Sequence, residues 1–353
     1  MKTNSKVKIF FIVGLPRSGT TLLEQMLDQH SEISVCPEIA SGLALWRLNA
    51  FHSIRDKSMH LILVNYLFDR SSFFKTKMTD VLIRQANRSF HFPINTEDWF
   101  NFIILDFVAE KNATLYVEKT PENLFYIKEL QIAFPDSKFI LLERNPYDVL
   151  YSIYENAKNM QGLMHSAEHI LKVSRALIKR YLNAIIQFKR NNETQFMSIK
   201  YEELISMPVD ILKQICLFLD VEFESQMMNY RNKKEFTEKG KNMKLIHTML
   251  NEPIDTKKIN KSFSHWEPND IQFLNEYWKD EMNILGYTSP PLTAGTAHLF
   301  KLKVYLAIVQ YYLKTDLVEG RWNKLRFRAQ HFLLQNIRFK FIAEKLRRTF
   351  FLK

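Results

Sequence analysis

The sequence predicts an α/β fold in which helices cover both faces of a central parallel sheet, forming three layers. Apolar runs without polar alternation, as expected of strands buried on both faces, occupy residues 9–13, 114–117, 138–142 and 196–199. Segments whose apolar residues follow helical spacing separate these runs. In such a sheet ligands bind beyond the carboxyl ends of the strands, so we expect the functional residues to follow those four runs.

Helices are predicted between and after these strands. Residues 40–110 are rich in Phe, Trp and Leu and have a helical and irregular pattern, which we interpret as an inserted helical region over the active face. The alternative is that these aromatic residues simply belong to the core, which any one of them more often does. Thr120 is a predicted helix N-cap, with Pro121 at the first helical position. The other segments, judged by apolar spacing, are helices at about 124–132, from about 148, 164–190, 208–220 and 268–285, with a short extended piece at 34–38.

The loop between the first strand and the first helix has the composition of an anion site. It begins at Gly14, and the helix starts near Thr20. Backbone N–H groups without intrahelical partners point outward at a helix N-terminus, where the helix dipole adds positive potential. An Arg inside the loop adds a fork of donors for an oxyanion. The candidate binding residues are Pro16, Arg17, Ser18, Gly19, Thr20 and Thr21.

Two nucleotide chemistries could use this loop, because Gly14 and Gly19 have the spacing of the two glycines of a P-loop. A kinase or GTPase with that loop needs a Lys after the second glycine to bind the β- and γ-phosphates, and an acidic residue near magnesium. Thr20 occupies the Lys position here, and no acidic metal pair stands beside the loop. An ATP-dependent kinase is therefore an alternative that Thr20 disfavours.

Composition narrows the class of protein further. With 353 residues, 46% of them hydrophobic, the chain can form one large globular domain with appendages. Its two cysteines, Cys36 and Cys216, lie far apart, which argues against a disulfide scaffold or a zinc site and fits a reducing compartment. The first strand begins so close to Met1 that we expect no signal peptide or membrane anchor before it, and we predict a cytoplasmic protein.

The basic character of the chain is concentrated in its last segment. Residues 301–353 contain thirteen Lys or Arg residues and three acidic residues, so they carry +10 of the net charge of +11. A basic amphipathic helix there could lie on an anionic membrane surface, or pack on the catalytic domain with its charged face in solvent. No nucleic-acid-binding module is recognisable. The residues that suggest this helix are Leu334, Ile337, Arg338, Phe341 and Lys345.

Four motifs, in order, resemble one enzyme family. P-R-S-G-T-T at 16–21 resembles the 5′-phosphosulfate loop of sulfotransferases that use 3′-phosphoadenosine 5′-phosphosulfate (PAPS), in the branch that includes protein-tyrosine sulfotransferases and related bacterial enzymes. E-K-T-P at 118–121, R-N-P-Y-D-V-L-Y-S at 144–152 and Y-E-E-L at 201–204 also resemble that family. The resemblance implies a P-loop-like three-layer fold. It predicts a sulfotransferase domain at 1–290 and a basic amphipathic C-terminal extension at 291–353.

The resemblance also implies a role for each motif residue. PAPS would be the donor and 3′-phosphoadenosine 5′-phosphate (PAP) the product, with no metal required. Arg144 and Ser152 would bind the 3′-phosphate, while Lys119 and Arg17 would stabilise the charge on the transferring sulfuryl group. Glu38 lies 21 residues after Arg17, as the catalytic Glu does in the tyrosine-sulfating branch, and would take the proton of an acceptor hydroxyl or amine.

Each of these residues also has a plainer interpretation. The loop that holds Arg17 could be an ordinary strand-to-helix turn whose Ser and Thr residues only cap a helix. Arg144 could form an ordinary ion pair with Asp148, with Ser152 merely facing the helix. Lys119 could be a solvated lysine at a strand end, and Glu38 an ordinary loop carboxylate. Other branches of the family use a His as the base, and His30 lies nearby, at the predicted end of the first helix.

Later residues complete the predicted site. Tyr201 matches a family position near the adenine, where an aromatic face can stack. Residues 251–254 and 258–266 resemble a late loop that closes over the cofactor, with Lys261 as the candidate phosphate ligand. The acceptor could be a protein tyrosine, a sugar, a lipid or a small molecule. Beside the kinase, the other alternative is a non-catalytic, membrane-associated protein that keeps the nucleotide-binding fold.

Overall fold

The computed structural model describes residues 8–36, 38–70, 90–111, 113–159, 167–190, 194–232, 256, 259–266 and 268–290. Its central sheet is built from five strands, which are β1 (Lys8–Gly14), β2 (Ile33–Cys36), β5 (Leu115–Lys119), β6 (Lys138–Glu143) and β7 (Phe196–Lys200). All neighbours in it are parallel, in the order β2-β5-β1-β6-β7. The short strands β3 (Ser53–Ile54) and β4 (Ile94–Asn95) pair antiparallel outside it.

Helices connect the strands of the sheet. The α-helices are α1 (Thr20–Leu27), α2 (Ser41–Leu48), α3 (Lys57–Arg70), α4 (Thr96–Lys111), α5 (Ile127–Ala133), α6 (Pro146–Asn159), α7 (Ala167–Lys189), α8 (Tyr201–Ser206), α9 (Pro208–Leu219), α10 (Pro268–Tyr277) and α11 (Lys279–Leu285). In the described part of the chain, 3₁₀ helices occupy Pro121–Tyr126, Ser225–Asn232 and Lys261–His265.

Alternate side chains of the buried strands enter two separate cores, as the pleat of a strand requires. On one face Phe11 and Val13 pack with residues of α2, α3, α4, α6 and α7. On the other face Phe10 and Ile12 pack with residues of α1, α8 and α9. The predicted three-layer α/β fold with a central parallel sheet is therefore confirmed.

Strand β5 extends two residues beyond the end of its apolar run. The second run was expected to end at residue 117, yet β5 continues through Glu118 and Lys119, which pair with Phe11 and Ile12 of β1. Both charged side chains are buried, at 0% and 4% exposure. Charged residues normally indicate the end of a buried strand, so the pattern alone ended this strand too early.

Three local expectations need correction. Residues 268–285 form two helices rather than one, because the helix breaks at Trp278, a fully buried residue. Thr120 stands at an N-cap position, but it precedes a 3₁₀ helix and its side chain makes no capping bond to that helix. The region 40–110 is not wholly helical, because β3 and β4 pair within it, and its aromatic residues Trp99 and Phe100 are core residues with 0% exposure.

Several sequence-based predictions fall outside the described residues, including the C-terminal extension at 291–353 and the segment 251–254. Across the described ranges, no helix combines the length and apolar character that crossing a membrane requires. In the same ranges no group of three or more His, Cys, Asp or Glu side chains is placed to hold a metal ion.

Candidate functional site

The loop between β1 and α1 has a backbone that few residue types could adopt. Gly14 has φ +151°, and a Cβ added there would lie 2.2 Å from the carbonyl oxygen of Leu142. Gly19 has φ +94°, and its Cβ would lie 2.4 Å from a ring carbon of Tyr201. Arg17 also has a positive φ, +70°. The glycines therefore let this loop lie against β6 and α8, with the N-terminus of α1 at the carboxyl edge of the sheet.

The two predicted phosphate sites meet at this edge. Arg17 Nε donates to Ser152 Oγ on α6 at 3.2 Å, and Arg144 Nη1 donates to the carbonyl oxygen of Arg17 at 3.1 Å. Burial lowers the pKa of Arg17, and the neighbouring Arg144 cation lowers it further. Two guanidinium groups held this close, at one end of the sheet, form a positive site suited to an anion with more than one phosphate-like group.

Tyr201 lies against both arginine-bearing segments. The guanidinium carbon of Arg144 is 4.3 Å from the centroid of the Tyr201 ring, a cation–π geometry. Burial raises the pKa of the Tyr201 hydroxyl. The interpretation of Arg144 as an ordinary ion-pair partner of Asp148 is only partly met, because Arg144 Nη2 and Asp148 Oδ2 are 4.0 Å apart. Arg144 Nε is buried without a hydrogen-bond partner, which leaves a donor for a ligand.

Lys119 is a buried cation between two carboxylates. Its Nζ lies 2.6 Å from Glu38 Oε1 and 3.2 Å from Glu24 Oε2, and it donates to Thr21 Oγ1 at 3.4 Å. Burial lowers its pKa, but Glu24 and Glu38 outweigh burial, so the pKa of Lys119 is raised above its usual range. The interpretation of Lys119 as a solvated strand-end lysine is therefore wrong. Its ammonium group lies next to the first turn of α1, at the end of the loop that follows β1.

Glu38 follows β2 at the same edge of the sheet, and its side chain is 55% exposed. It is thus a carboxylate that solvent or an acceptor can reach, held by an ion pair to Lys119. His30 differs from Glu38 in position and exposure, since it lies after the end of α1 and is 1% exposed. Its Nδ1 accepts from the backbone N–H of Glu32, and its Nε2 bonds the carbonyl oxygen of Glu222. The imidazole of His30 is therefore occupied in structure.

The late segment is attached to α6 by one carboxylate. Asp148 accepts from the backbone N–H groups of Asn260 at 2.9 Å and of Ser262 at 3.0 Å. Lys261, between them, is exposed. Its role as a phosphate ligand stays a prediction, as do the roles of Pro16, Ser18 and Thr20. Ser18 is buried, and its hydroxyl donates to the carbonyl oxygen of Leu15.

Sequence reasoning missed two acidic residues of the site, Glu24 and Glu118. Glu24 lies inside the apolar helix α1, where a lone acid among Leu, Gln and Met was the available signal. Glu118 belongs to a recognised motif but received no role. It is fully buried beside Lys119, and no pattern along the chain shows what it contacts.

Comparison with known proteins identifies a family. Residues 10–225 match the model of the sulfotransferase family. A putative protein-tyrosine sulfotransferase of Caenorhabditis briggsae is 22% identical over 290 residues, which cover 79% of this chain and 89% of that protein. The protein-tyrosine sulfotransferase of Drosophila melanogaster is 23% identical over 308 residues, covering 82% of this chain and 54% of that protein. The match thus spans about half the length of the fly protein.

Two solved structures share the fold. The sulfotransferase domain of the Synechococcus PCC 7002 olefin synthase aligns with a TM-score of 0.58 and 21% identity, over 82% of this chain and 98% of that domain. The sulfotransferase domain of the curacin biosynthetic pathway aligns with a TM-score of 0.56 and 20% identity, over 80% of this chain and 99% of that domain.

Proposed function

The chain belongs to the sulfotransferase family, and we propose that it transfers a sulfuryl group from PAPS to an acceptor hydroxyl or amine, with Glu38 as the general base. The observation that carries this proposal is the meeting of Arg17, Ser152 and Arg144 at one edge of the sheet. Two cationic groups from separate motifs suit a nucleotide with separate 5′ and 3′ anionic groups better than they suit ATP, which has no 3′-phosphate.

The residues present fit this donor. The N-terminal N–H groups of α1, the hydroxyls of Thr20 and Thr21, and Arg17 would hold the 5′-phosphosulfate. Arg144 and Ser152 would hold the 3′-phosphate, and the unpartnered, buried Nε of Arg144 is the donor left for it. Tyr201 would lie beside the adenine, and Lys261 would add a cation from the late segment.

The donor supplies a sulfuryl group bonded to a phosphate that leaves as PAP. Glu38, half exposed at the edge of the site, would accept the proton of the acceptor hydroxyl. At the same time the oxygen of that hydroxyl would form its bond to sulfur, and the bond between sulfur and the phosphate oxygen of PAPS would break. Lys119 and Arg17 would stabilise the charge on the sulfuryl oxygens and on the departing phosphate oxygen. A sulfuryl group carries less negative charge than a phosphoryl group, so we expect these cations to suffice without magnesium and chelation with EDTA to leave the rate unchanged.

A transfer assay tests the proposal. Sulfur-35-labelled PAPS is incubated with the full chain and with acceptors of four classes, namely a tyrosine peptide, a sugar, a lipid alcohol and a small phenol. The tyrosine peptide comes first, because the two relatives described above are named a putative protein-tyrosine sulfotransferase and a protein-tyrosine sulfotransferase. We expect labelled product from at least one class, and a loss of about 10²–10⁴-fold in kcat for Glu38→Gln.

Glu32→Gln is the matched control for that assay. Glu32 is an exposed carboxylate at the opposite end of β2, where it accepts from Thr114, so its removal should leave the rate unchanged. Equal rates for wild type and Glu38→Gln would contradict the role of Glu38. Phosphoryl transfer from ATP with magnesium, in place of sulfuryl transfer, would show a kinase and contradict the whole proposal. Binding of PAP without any transfer would indicate the non-catalytic alternative.

For the basic C-terminal segment we keep the proposal of peripheral attachment to an anionic membrane, and with it a cytoplasmic location. Its support is the charge and apolar spacing of residues 301–353. Co-sedimentation of the full chain with vesicles containing phosphatidylserine should fall when Arg338 and Lys345 are both replaced by Glu. Unchanged co-sedimentation would contradict the proposal.

A further inference from the structure

The segment that carries Lys119 presents a second set of side chains to a different part of the molecule. Lys119 turns toward Glu38, Glu24 and α1, whereas the neighbouring residues turn toward the N-terminus of α2. The residues that do so are Glu118, Thr120 and Asn123, which we call the buried polar cluster, and all three are at most 1% exposed.

The buried polar cluster binds three successive backbone N–H groups at the start of α2. Thr120 Oγ1 accepts from the N–H of Ala40 at 3.1 Å. Glu118 Oε1 accepts from the N–H of Ser41 at 3.2 Å. Asn123 Oδ1 accepts from the N–H of Gly42 at 3.1 Å. These are the donors that a helix N-terminus leaves without intrahelical partners.

Within the buried polar cluster the side chains also bind one another. Thr120 Oγ1 donates to Glu118 Oε1 at 2.8 Å, and Asn123 Nδ2 donates to the same oxygen at 3.0 Å. The other carboxylate oxygen of Glu118 accepts from the hydroxyl of Ser41. A buried carboxylate is tolerated only when its oxygens are satisfied, and the bonds from Ala40, Ser41 and Gly42 would be broken if α2 moved away from β5.

The backbone at the start of α2 shows how closely residues 40–42 pack against residues 118–126. Ala40 has a left-handed conformation, with φ +53°, which an alanine adopts only at a cost. A Cβ added to Gly42 would lie 2.8 Å from Asn123 Oδ1 and 2.8 Å from Tyr126 Cβ. The strained alanine and the absent side chain both allow the hydrogen bonds, so the backbone here is shaped by its contact with residues 118–126.

Glu38 stands two residues before Ala40, and its partner Lys119 stands between Glu118 and Thr120. We propose that the buried polar cluster consists of positioning residues, which hold the Glu38 carboxylate against Lys119 and so at the place where the acceptor loses its proton. This inference rests on the proposed function. The E-K-T-P motif at 118–121 thus contributes the cation Lys119 to the site, and its Glu118 and Thr120 help to fix the position of the base Glu38.

Thr120→Val tests the inference with the least disturbance, because valine keeps the shape of threonine and removes only the hydroxyl. PAP release from PAPS is followed with N-acetyltyrosinamide as acceptor and also without it, so that transfer to a tyrosine hydroxyl or to water is detected. We expect kcat to fall on the order of tenfold, since small displacements of a catalytic group cost this much or more. The KM for PAPS should stay within about twofold, and Thr120→Ser, which restores the hydroxyl, should restore kcat.

Two further variants separate positioning from loss of stability. Thr96→Val removes another buried hydroxyl, whose bond to the carbonyl oxygen of Ala50 is 2.7 Å long, in the helical region away from Lys119. It should lower the unfolding temperature without lowering kcat. Thr120→Val should have no further effect on kcat in a Glu38→Gln background, because Thr120 acts through Glu38.

Three results would overturn the inference. These are a wild-type kcat in Thr120→Val, a loss that Thr96→Val reproduces, and a loss that is equally large in the Glu38→Gln background. Each of them leaves the proposed function standing, provided that the wild-type chain releases PAP. A wild-type chain that neither binds PAP nor releases it from PAPS overturns both the inference and the proposed function.

Discussion

Lys119 shows how single residues prepare this site. An isolated lysine with 4% exposure would lose its charge to burial, yet the carboxylates of Glu24 and Glu38 keep its pKa above the usual range. The ammonium is therefore present at every pH at which the protein is expected to work. Any loss of activity at mildly alkaline pH must have another cause, because the folded state holds this proton more tightly than the unfolded chain does.

Replacing Lys119 by methionine should abolish most of the transfer, because methionine resembles the unbranched stem of lysine but lacks its ammonium group. We expect a fall in kcat of about 10²–10³-fold, the usual cost of removing one donor from a developing oxyanion. Lys179→Met is the control, since Lys179 also pairs with a buried carboxylate, Glu281, at 3.3 Å, on the outer helices. An unchanged kcat in Lys119→Met, or an equal loss in Lys179→Met, would contradict the assignment.

Glu118 predicts a pH dependence of stability. Burial raises the pKa of this carboxyl, although hydrogen bonds from Ser41, Thr120 and Asn123 oppose the shift. Since the folded state holds the proton more tightly than the unfolded state, its contribution is present below the unfolded pKa of about 4.3 and declines as pH rises. The free energy of unfolding of wild type, relative to Glu118→Gln, should therefore fall between pH 4.5 and 7. Urea unfolding at the two pH values measures it, and a pH-independent difference would contradict the shift.

At the scale of elements, the loop between β1 and α1 depends on close approach to β6. Gly14→Ala should cost roughly 2–4 kcal/mol in the free energy of unfolding, because the methyl group meets a backbone carbonyl rather than a flexible side chain. Gly286→Ala is the matched control. Gly286 has φ +67° with nothing within 4 Å of an added Cβ, so only the backbone strain, about 1 kcal/mol, should appear. Equal costs for the two variants would show that the contact with β6 is unimportant.

Elements with strong local patterns were predictable from the sequence. The apolar runs of β1 and β6 and the helical spacing of α9 reflect burial, and such spacing can be seen along the chain itself. The run at 196–199 also predicted a strand correctly, but β7 lies at the edge of the sheet, and only Ile199 in it is buried. The end of β5 was not predictable, because Glu118 and Lys119 are charged. Their burial is acceptable only because other parts of the fold supply partners, such as Glu24 for Lys119 and Ser41 for Glu118. The helix break at Trp278 was not predictable either, because a buried apolar residue at this position also fits the spacing of one continuous helix.

At the scale of the whole molecule, parallel strands bring the distant motifs to one edge. Arg17 and Arg144 follow β1 and β6, and Lys119 is the last residue of β5. Adjacent strands in the order β5-β1-β6 therefore place the three side by side. The sequence indicates this convergence because the apolar runs locate each of the three strands, although the run of β5 stops before Lys119. It does not indicate Glu24 as a partner of Lys119, since that contact depends on how α1 packs over β5.

The central claim is that this edge binds a nucleotide with a 3′-phosphate, and calorimetric titration tests it most directly. PAP, ADP and ATP with magnesium are titrated into the full chain, into Arg144→Ala and into the control Arg190→Ala, which removes an exposed arginine at the end of α7. We predict that PAP binds about 10–100-fold more tightly than ADP, and that Arg144→Ala removes this difference while Arg190→Ala keeps it. Tighter binding of ATP with magnesium than of PAP, or an unchanged preference in Arg144→Ala, would contradict the claim.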